Sequence, residues 1–277
     1  MTPPLSRRTF AAASVALGAT PALAASLIEV AETDVSITTP DGTCDAALFA
    51  PAGAGSWPAV VIFTDALGLR PVFRDMGQRM ASAGYVVLIP NPFYRSRKAP
   101  VFTGPFDFAS PTDRAKLTEL RAPITPDTVG RDTLAYLKFL ASQKVVKRGS
   151  KIGVVGYCMG GPMTMQAAAI APSKIAAACS FHGGGLVTDK PDSPHLLVPR
   201  IKADFYFGVA TNDDQREPEA KTRLKAAFDA AKRPARIEVY EGAMHGWCVP
   251  GSQVYNAAQA ERAWSEMLAL YKRVLVA

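Results

Sequence analysis

The chain has 277 residues, of which 48% are hydrophobic and 20% are charged. This composition is typical of a globular protein and excludes a disordered chain or a bundle of membrane helices. The formal net charge is +7, but the basic residues are scattered and form no stripe of the kind that binds nucleic acid. We therefore expect no nucleic-acid partner, and a moderately basic surface favours an anionic small molecule.

Residues 1–24 have the pattern of an export signal. Arg7 and Arg8 precede a run rich in alanine, valine and leucine, which ends in the small-residue A-L-A pattern at 22–24. The S-R-R-T-F stretch around the arginines resembles a twin-arginine signal, although an ordinary secretory signal or an uncleaved anchor would also fit. We expect residues 25–277 to form the mature protein, periplasmic or secreted. It should make no membrane contact, because no other stretch approaches the roughly 20 apolar residues that span a bilayer.

From residue 33 onward, apolar runs typical of buried strands alternate with segments of helical period. This alternation predicts one α/β domain with a doubly wound, mostly parallel sheet. A long proline-rich loop with at most short helices interrupts it, and loops of that length are usually functional. In chain order the predicted elements are strands 33–39, 44–49 and 58–65, helix 71–83, strand 85–90, loop 91–123, helix 125–143, strand 151–157, helix 159–171, strands 175–181 and 205–210, helix 217–232, strand 236–240 and helix 255–275.

The most informative motif is G-x-C-x-G at residues 156–160, between a predicted strand and a predicted helix. It is the cysteine version of the nucleophile elbow. A tight turn strains the central residue, and the residues two before and two after it must be small to avoid collisions. Cys158 would then be exposed at a helix N-terminus, whose partial positive charge favours a thiolate. The backbone N–H of Met159 would be an oxyanion donor. A tight structural turn with a buried cysteine is the alternative.

Three other cysteines, at positions 44, 179 and 248, complete the set of four. Because no C-x-x-C pair occurs, neither a zinc site nor a dithiol redox motif is predicted, and we expect no metal. Cys179 lies in an apolar run and is expected in the core. A disulfide between Cys44 and Cys248 is left open.

The chain has three histidines. His245 follows the last predicted strand, where the α/β-hydrolase fold carries its catalytic base. It would keep the cysteine as a thiolate and protonate a leaving alkoxide. His182 also follows a strand and could line the pocket, whereas His195 lies in a proline-rich loop.

The acid of a triad is expected after strand 205–210, where Asp213 and Asp214 are adjacent candidates. We favour Asp213, with Asp214 as the alternate. The carboxylate would accept the second ring N–H of His245 and fix its tautomer. The order nucleophile, acid, histidine is that of α/β-hydrolases, so the chain is predicted to have the α/β-hydrolase fold.

These features resemble the dienelactone hydrolase family over nearly all of residues 30–277. The likeness rests on the G-Y-C-M-G-G motif at 156–161, Asn-Asp at 212–213 and His-Gly-Trp at 245–247. The resemblance implies hydrolysis of a cyclic enol-lactone that carries a carboxylate, through a Cys-His-Asp triad without a cofactor. It places these roles on Cys158, His245 and Asp213.

The resemblance also indicates where this chain departs from the family. Family members carry a glutamate after an early strand that helps to activate the cysteine, and this chain has the shorter Asp65 there. The N–H of Ala66 is the second expected oxyanion donor. Arg95 stands where the family holds the substrate carboxylate, and Tyr94 and Trp247 are expected beside the substrate.

Three hypotheses follow for the function. The leading one is hydrolysis of a small ester or lactone through a thioester acyl-enzyme. The second is a non-catalytic periplasmic binder of small molecules on the same scaffold, which an oxidising location would suit. The third is an acyltransferase or thioesterase, whose triad would look the same.

Overall fold

Strands and helices alternate along the chain as the pattern predicts. The computed structural model describes residues 28–276, so the predicted signal at 1–24 lies outside the described residues. The strands are β1 (Val30–Thr39), β2 (Gly42–Pro51), β3 (Ala59–Phe63), β4 (Val86–Pro90), β5 (Ile152–Tyr157), β6 (Ile175–Phe181), β7 (Asp204–Ala210) and β8 (Ala235–Tyr240). The helices are α1 (Pro71–Ser82), α2 (Pro111–Arg121), α3 (Pro126–Ser142), α4 (Gly160–Ile170), α5 (Thr211–Arg216), α6 (Ala220–Ala230) and α7 (Ala257–Tyr271). Across residues 28–276, no helix has the length and apolar character required to cross a membrane.

The strands of residues 28–276 form one sheet in the order β1-β2-β4-β3-β5-β6-β7-β8. β2 pairs antiparallel with β1 and with β4, whereas the remaining neighbours are parallel. The predicted α/β-hydrolase fold with a mostly parallel, doubly wound sheet is therefore confirmed. The chain runs from β3 out to β4 and returns to β5 on the other side of β3. The carboxyl ends of β3 and β5 thus flank a topological switch point, where such sheets bind ligands.

Helices cover both faces of the sheet, and this explains why its parallel strands are continuous apolar runs. Along β3, Val61 packs in the core that includes α3, α4 and α6, whereas Val60 and Ile62 pack in the core that includes α1 and α7. Successive side chains of a strand point to opposite faces, so each strand contributes to both cores. The strand ends are left to carry functional groups.

Two segments differ from the prediction. The predicted helix 217–232 is preceded by a separate short helix, α5, and begins only at Ala220 because Pro218 lies between the two and lacks a backbone N–H. The predicted loop 91–123 contains α2, which begins after Ser110, whose hydroxyl accepts the Asp113 N–H at 3.3 Å. Because α5 begins at Thr211, directly after β7, Asp213 lies in the first turn of a helix rather than in an extended loop.

Candidate active site

Cys158 lies on a sharp turn between β5 and α4. Its φ of 52° is in the left-handed region that residues other than glycine rarely adopt. The flanking glycines are required by space: a Cβ at Gly156 would lie 2.0 Å from the Gly160 carbonyl oxygen, and a Cβ at Gly160 would lie 2.3 Å from the Phe63 carbonyl oxygen. The turn therefore packs directly on the end of β3, in the manner of a nucleophile elbow.

Backbone N–H groups with no internal partner lie on both sides of the switch point. The Cys158 N–H donates to the Phe181 carbonyl oxygen at 3.1 Å, which attaches the elbow to β6. Within residues 28–276, neither the N–H of Met159 nor that of Ala66 donates to a backbone or side-chain acceptor. Met159 follows the elbow cysteine, and Ala66 follows β3. Two such free donors are what an oxyanion hole requires.

Cys158 differs from the other three cysteines in its exposure. It is half-buried, whereas Cys44, Cys179 and Cys248 are buried, and all four thiols are free, so no disulfide joins Cys44 to Cys248. Burial raises the pKa of Cys44 to about 12 and raises the pKa values of Cys179 and Cys248 further. These three thiols are protonated and inert near neutral pH. Cys158 is the cysteine that a substrate can reach.

The His245 ring contacts Asp213 and not Asp214. His245 Nδ1 lies 2.6 Å from Asp213 Oδ2. Asp214 instead accepts hydrogen bonds from Lys221 Nζ at 2.6 and 2.8 Å. The Asn212 side-chain oxygen accepts the His245 backbone N–H at 2.8 Å. The loop that carries His245 is therefore attached to the first turn of α5 at two points.

His245 is held in its charged form. Burial lowers the pKa of the ring, but interactions with Asp213 and Cys158 outweigh burial and raise the pKa from 6.5 to about 10. The ring is therefore an imidazolium near neutral pH. A positively charged ring thus lies beside the Cys158 side chain.

Comparison with known proteins identifies the family. The sequence profile of the dienelactone hydrolase family matches residues 44–275. The chain belongs to the dienelactone hydrolase family. A carboxymethylenebutenolidase of Rhodococcus opacus is 26% identical over 235 residues, which are 82% of this chain and 86% of that protein.

Solved structures share the fold of this dienelactone hydrolase family member. A dienelactone hydrolase from Anabaena variabilis aligns with a TM-score of 0.64 at 15% identity, over 89% of this chain and 99% of that one. A dienelactone hydrolase-like promiscuous phosphotriesterase from metagenomic libraries aligns with a TM-score of 0.72 at 22% identity, over the same shares of the two chains.

Asp65, which stands where the dienelactone hydrolase family has a glutamate, contacts an arginine. Its two carboxylate oxygens accept from the Arg70 guanidinium at 2.6 and 2.8 Å, and one of them also accepts the Leu67 N–H at 2.9 Å. Among the described residues no hydrogen bond joins Asp65 to Cys158. In this structure Asp65 shapes the turn that presents Ala66, and the predicted activation of the thiol finds no contact to support it.

Arg95 and Tyr94 belong to a polar cluster whose side chains form hydrogen bonds with one another. The Arg95 guanidinium donates to both Asp132 oxygens at 2.8 Å, and to Asp41 at 2.6 and 3.1 Å. The Tyr94 hydroxyl donates to Asp132 at 2.8 Å and shares a hydrogen bond of 2.7 Å with Thr39. These contacts occupy four of the five N–H groups that a guanidinium offers. Through these contacts Arg95 and Tyr94 fasten the β1-β2 hairpin to α3. Arg95 also lines a small cavity that reaches Thr64 at the end of β3, and the expectation that Arg95 and Tyr94 receive a substrate carboxylate stays a prediction.

Trp247 lies in the core. Its side chain has 0% exposure, and its ring stacks on Tyr240 with the ring centroids 5.0 Å apart. In this structure Trp247 supports the loop of His245 from within the core, and the expected substrate contact of Trp247 stays a prediction.

A cavity of about 360 Å³ adjoins the elbow, between α2 and the starts of α3 and α4. Met159 and Met163 form its α4 wall, and Arg121 lies on its α2 side. Among residues 28–276, Arg121 has no carboxylate partner, and no acidic side chain lines this cavity. A smaller neighbouring cavity shares Met163 and Val129 with it and reaches Thr64 at the end of β3. Together they extend from the switch point to the surface.

Sequence reasoning missed three polar residues of this region. Asn212 holds the His245 backbone, Asp132 holds Arg95, and Arg216 donates to Asp213 Oδ1 at 2.8 Å. Asn212 was part of the Asn-Asp pair that carries the family resemblance, but its hydrogen bond to the His245 backbone was not predicted. The other two contacts join residues whose types and spacing carry no motif.

We expect Asp213→Asn to lower kcat on an activated ester by about 10³- to 10⁴-fold, because the amide would stabilise the wrong tautomer of His245. Asp214→Asn is the matched control, since it removes only the contact with Lys221, and it should leave kcat unchanged. Steady-state kinetics with both variants provide the measurement. Equal losses in the two variants would contradict the assignment.

Proposed function

We propose that this protein hydrolyses a small carboxylic ester or a lactone through a thioester on Cys158. The observation that carries the proposal is the hydrogen bond from His245 to Asp213 beside a half-buried cysteine on a left-handed elbow. Membership of the dienelactone hydrolase family, with a carboxymethylenebutenolidase among the relatives, supports the reaction class. The reaction uses side chains, backbone N–H groups and water.

In the first step the Cys158 thiolate attacks the carbonyl carbon. The N–H groups of Met159 and Ala66 stabilise the negative charge that develops on the carbonyl oxygen, and each such donor contributes about 10²–10³ in rate. The tetrahedral intermediate then breaks its bond to the alkoxy oxygen. The His245 imidazolium gives its proton to the departing alkoxide, which leaves a thioester and a neutral imidazole. From a lactone, the alcohol stays attached to the acyl group.

In the second step the neutral His245 takes a proton from the water that attacks the thioester carbonyl. The Cys158 thiolate leaves, the carboxylic acid is released, and the imidazolium–thiolate pair is restored. Asp213 accepts the Nδ1 hydrogen bond in both steps. It thereby keeps the ring in one tautomer and stabilises its charged form.

The cavity beside the elbow suggests which substrates fit. Methionine side chains provide apolar surface, and Arg121 provides a positive charge without an internal carboxylate partner among residues 28–276. We infer that a substrate with an apolar body and an anionic substituent lies in this cavity. A carboxylate-bearing lactone meets that description.

We expect Cys158→Ala to abolish turnover of 4-nitrophenyl acetate while circular dichroism stays unchanged. Cys44→Ala, which removes a buried thiol on β2, is the control and should retain turnover. Intact-protein mass spectrometry during turnover should show the wild type with one added acyl group. Full activity of Cys158→Ala would refute the nucleophile. Slow iodoacetamide labelling of Cys158 together with no esterase activity would favour the binder, and ester products formed from added alcohols would favour acyl transfer.

Substrate charge provides a second test, on a panel of matched esters and lactones with and without a carboxylate. We expect Arg121→Gln to lower kcat/KM on the anionic members by roughly ten- to a hundredfold, the loss of one hydrogen-bonded charge contact, and to leave the neutral members unaffected. Arg95→Gln is the comparison, because it breaks an internal ion pair and should lower the urea midpoint without changing the charge preference. A preference lost in Arg95→Gln and kept in Arg121→Gln would reverse this assignment.

We also propose that residues 1–24 direct export and that residues 25–277 act in the periplasm or outside the cell. The paired arginines and the A-L-A pattern at 22–24 motivate this proposal. The double substitution Arg7→Lys and Arg8→Lys should retain the protein in the cytoplasm, and the exported wild type should begin at Ala25. Cell fractionation and N-terminal sequencing measure both. If the wild type keeps residues 1–24 and the variant is found in the same cell fractions as the wild type, export by this route is contradicted.

A further inference from the structure

His182 is a buried histidine that the proposed mechanism does not use. It directly follows β6, its exposure is 1%, and its φ of 40° lies in the left-handed region. Neither ring nitrogen has a hydrogen-bond partner within residues 28–276. Buried polar atoms without partners and left-handed backbone at a residue other than glycine both oppose stability, and such residues cluster at functional sites. His182 is therefore not explained by its contribution to the core.

The contacts of the His182 ring point to the catalytic histidine. Its centroid lies 5.1 Å from that of His245, with the two planes at 62°. It also lies 5.0 Å from Trp247, at 69°, and 6.0 Å from Tyr157, at 45°. The contacts with His245 and Trp247 are edge-to-face, and such packing at these distances is favourable and depends on orientation. The His245 ring therefore rests on a ring that is itself enclosed.

The backbone of His182 is fixed to the strands that carry the rest of the site. Its N–H donates to the Gly208 carbonyl oxygen of β7 at 2.8 Å. The preceding residue, Phe181, accepts the Cys158 N–H at 3.1 Å. His182 thus lies between the strand that leads to the acid and the elbow that carries the nucleophile.

We propose that His182 is a positioning residue that holds the His245 imidazole in the orientation that joins Asp213 to Cys158. The inference rests on the proposed function, since it concerns the same triad. Because no hydrogen bond within residues 28–276 uses its nitrogens, His182 acts through the shape and contact of its ring. A flat ring in this place restricts rotation of the His245 imidazole about the bond that joins it to Cβ. Small misplacements of a reacting group lower the reaction rate strongly.

The charge of His182 fits this role. Burial lowers the pKa of His182, and the nearby charge of His245 acts in the same direction. His182 is therefore neutral at the pH at which His245 is an imidazolium. A neutral ring contacts the imidazolium without repulsion, which a second charged ring would cause.

Two substitutions distinguish the contribution of the His182 ring from that of its nitrogen atoms. His182→Phe keeps a flat ring and removes the polar atoms, so we expect kcat to stay within a few-fold of wild type. His182→Asn suits the left-handed backbone but removes the ring, so we expect kcat to fall by roughly ten- to a hundredfold with little change in KM. His195→Asn, at a histidine outside the site, is the control and should change neither.

The pH profile of iodoacetamide alkylation of Cys158 is the decisive readout, because a merely structural role would not move it. We expect the profile of His182→Phe to match wild type and that of His182→Asn to shift. Alkylation does not require ester hydrolysis, so failure of this inference is distinguishable from failure of the proposed function. Wild-type kcat and profile in His182→Asn, or equal losses in both folded variants, would overturn the proposal.

A measurement on the unmodified protein covers the case in which His182→Asn does not fold. In ¹⁵N-histidine spectra of the wild type, we expect the His182 ring to be neutral while the His245 ring is protonated, with a nuclear Overhauser contact between the two rings. A protonated His182 at neutral pH, or the absence of that contact, would overturn the proposal.

Discussion

The close approach of the elbow to the end of β3 is the constraint on which the site depends. With a Cβ at Gly160 only 2.3 Å from the Phe63 carbonyl oxygen, any larger residue would push the two segments apart. This contact brings the elbow, with the free N–H of Met159, next to the end of β3, which Ala66 follows. It also forces Cys158 into a left-handed conformation, which exposes the side chain at the switch point of the sheet. The exposed thiol and the two free N–H groups thus follow from one backbone packing requirement.

The histidine depends on a different kind of support. Its loop lies beyond β8, and local sequence does not hold it against the elbow. Asn212 binds its backbone, Asp213 binds its ring, and Trp247 lies buried beneath the loop. A base must lie within hydrogen-bonding reach of the groups that it serves. Several independent contacts to one short loop provide that precision without a continuous secondary structure element.

Charged residues near the site divide into those that are paired internally and those that are available. Asp65 with Arg70, and Asp132 with Arg95, form internal pairs that fasten loops to the sheet and to α3. Removing one partner of such a pair leaves an uncompensated charge, so the substitution lowers the stability of the fold. Arg121, on the wall of the larger of the two cavities described at the elbow, has no such partner among residues 28–276. Availability, rather than residue type or position in a motif, decides which arginine can meet a ligand.

The sequence by itself determined the fold class and the nucleophile elbow. Apolar runs alternating with helical segments indicated the parallel sheet, because strands buried on both faces have no polar positions. The spacing of Gly156, Cys158 and Gly160 indicated the elbow, because that turn tolerates only small flanking residues. Both signals are local and steric, and a local pattern is enough to carry them.

Only the tertiary structure decided the partners of the charged residues. The sequence favoured Asp213 as the acid but left its neighbour Asp214 as the alternate. Successive residues of a helix point about 100° apart, so α5 directs Asp213 to His245 and Asp214 to Lys221. Arg95 stood at the expected position, yet α3 brought Asp132 to it from 37 residues away. The sequence specifies which side chains carry charge. Which charges meet depends on how distant segments pack, and that is a property of the folded chain.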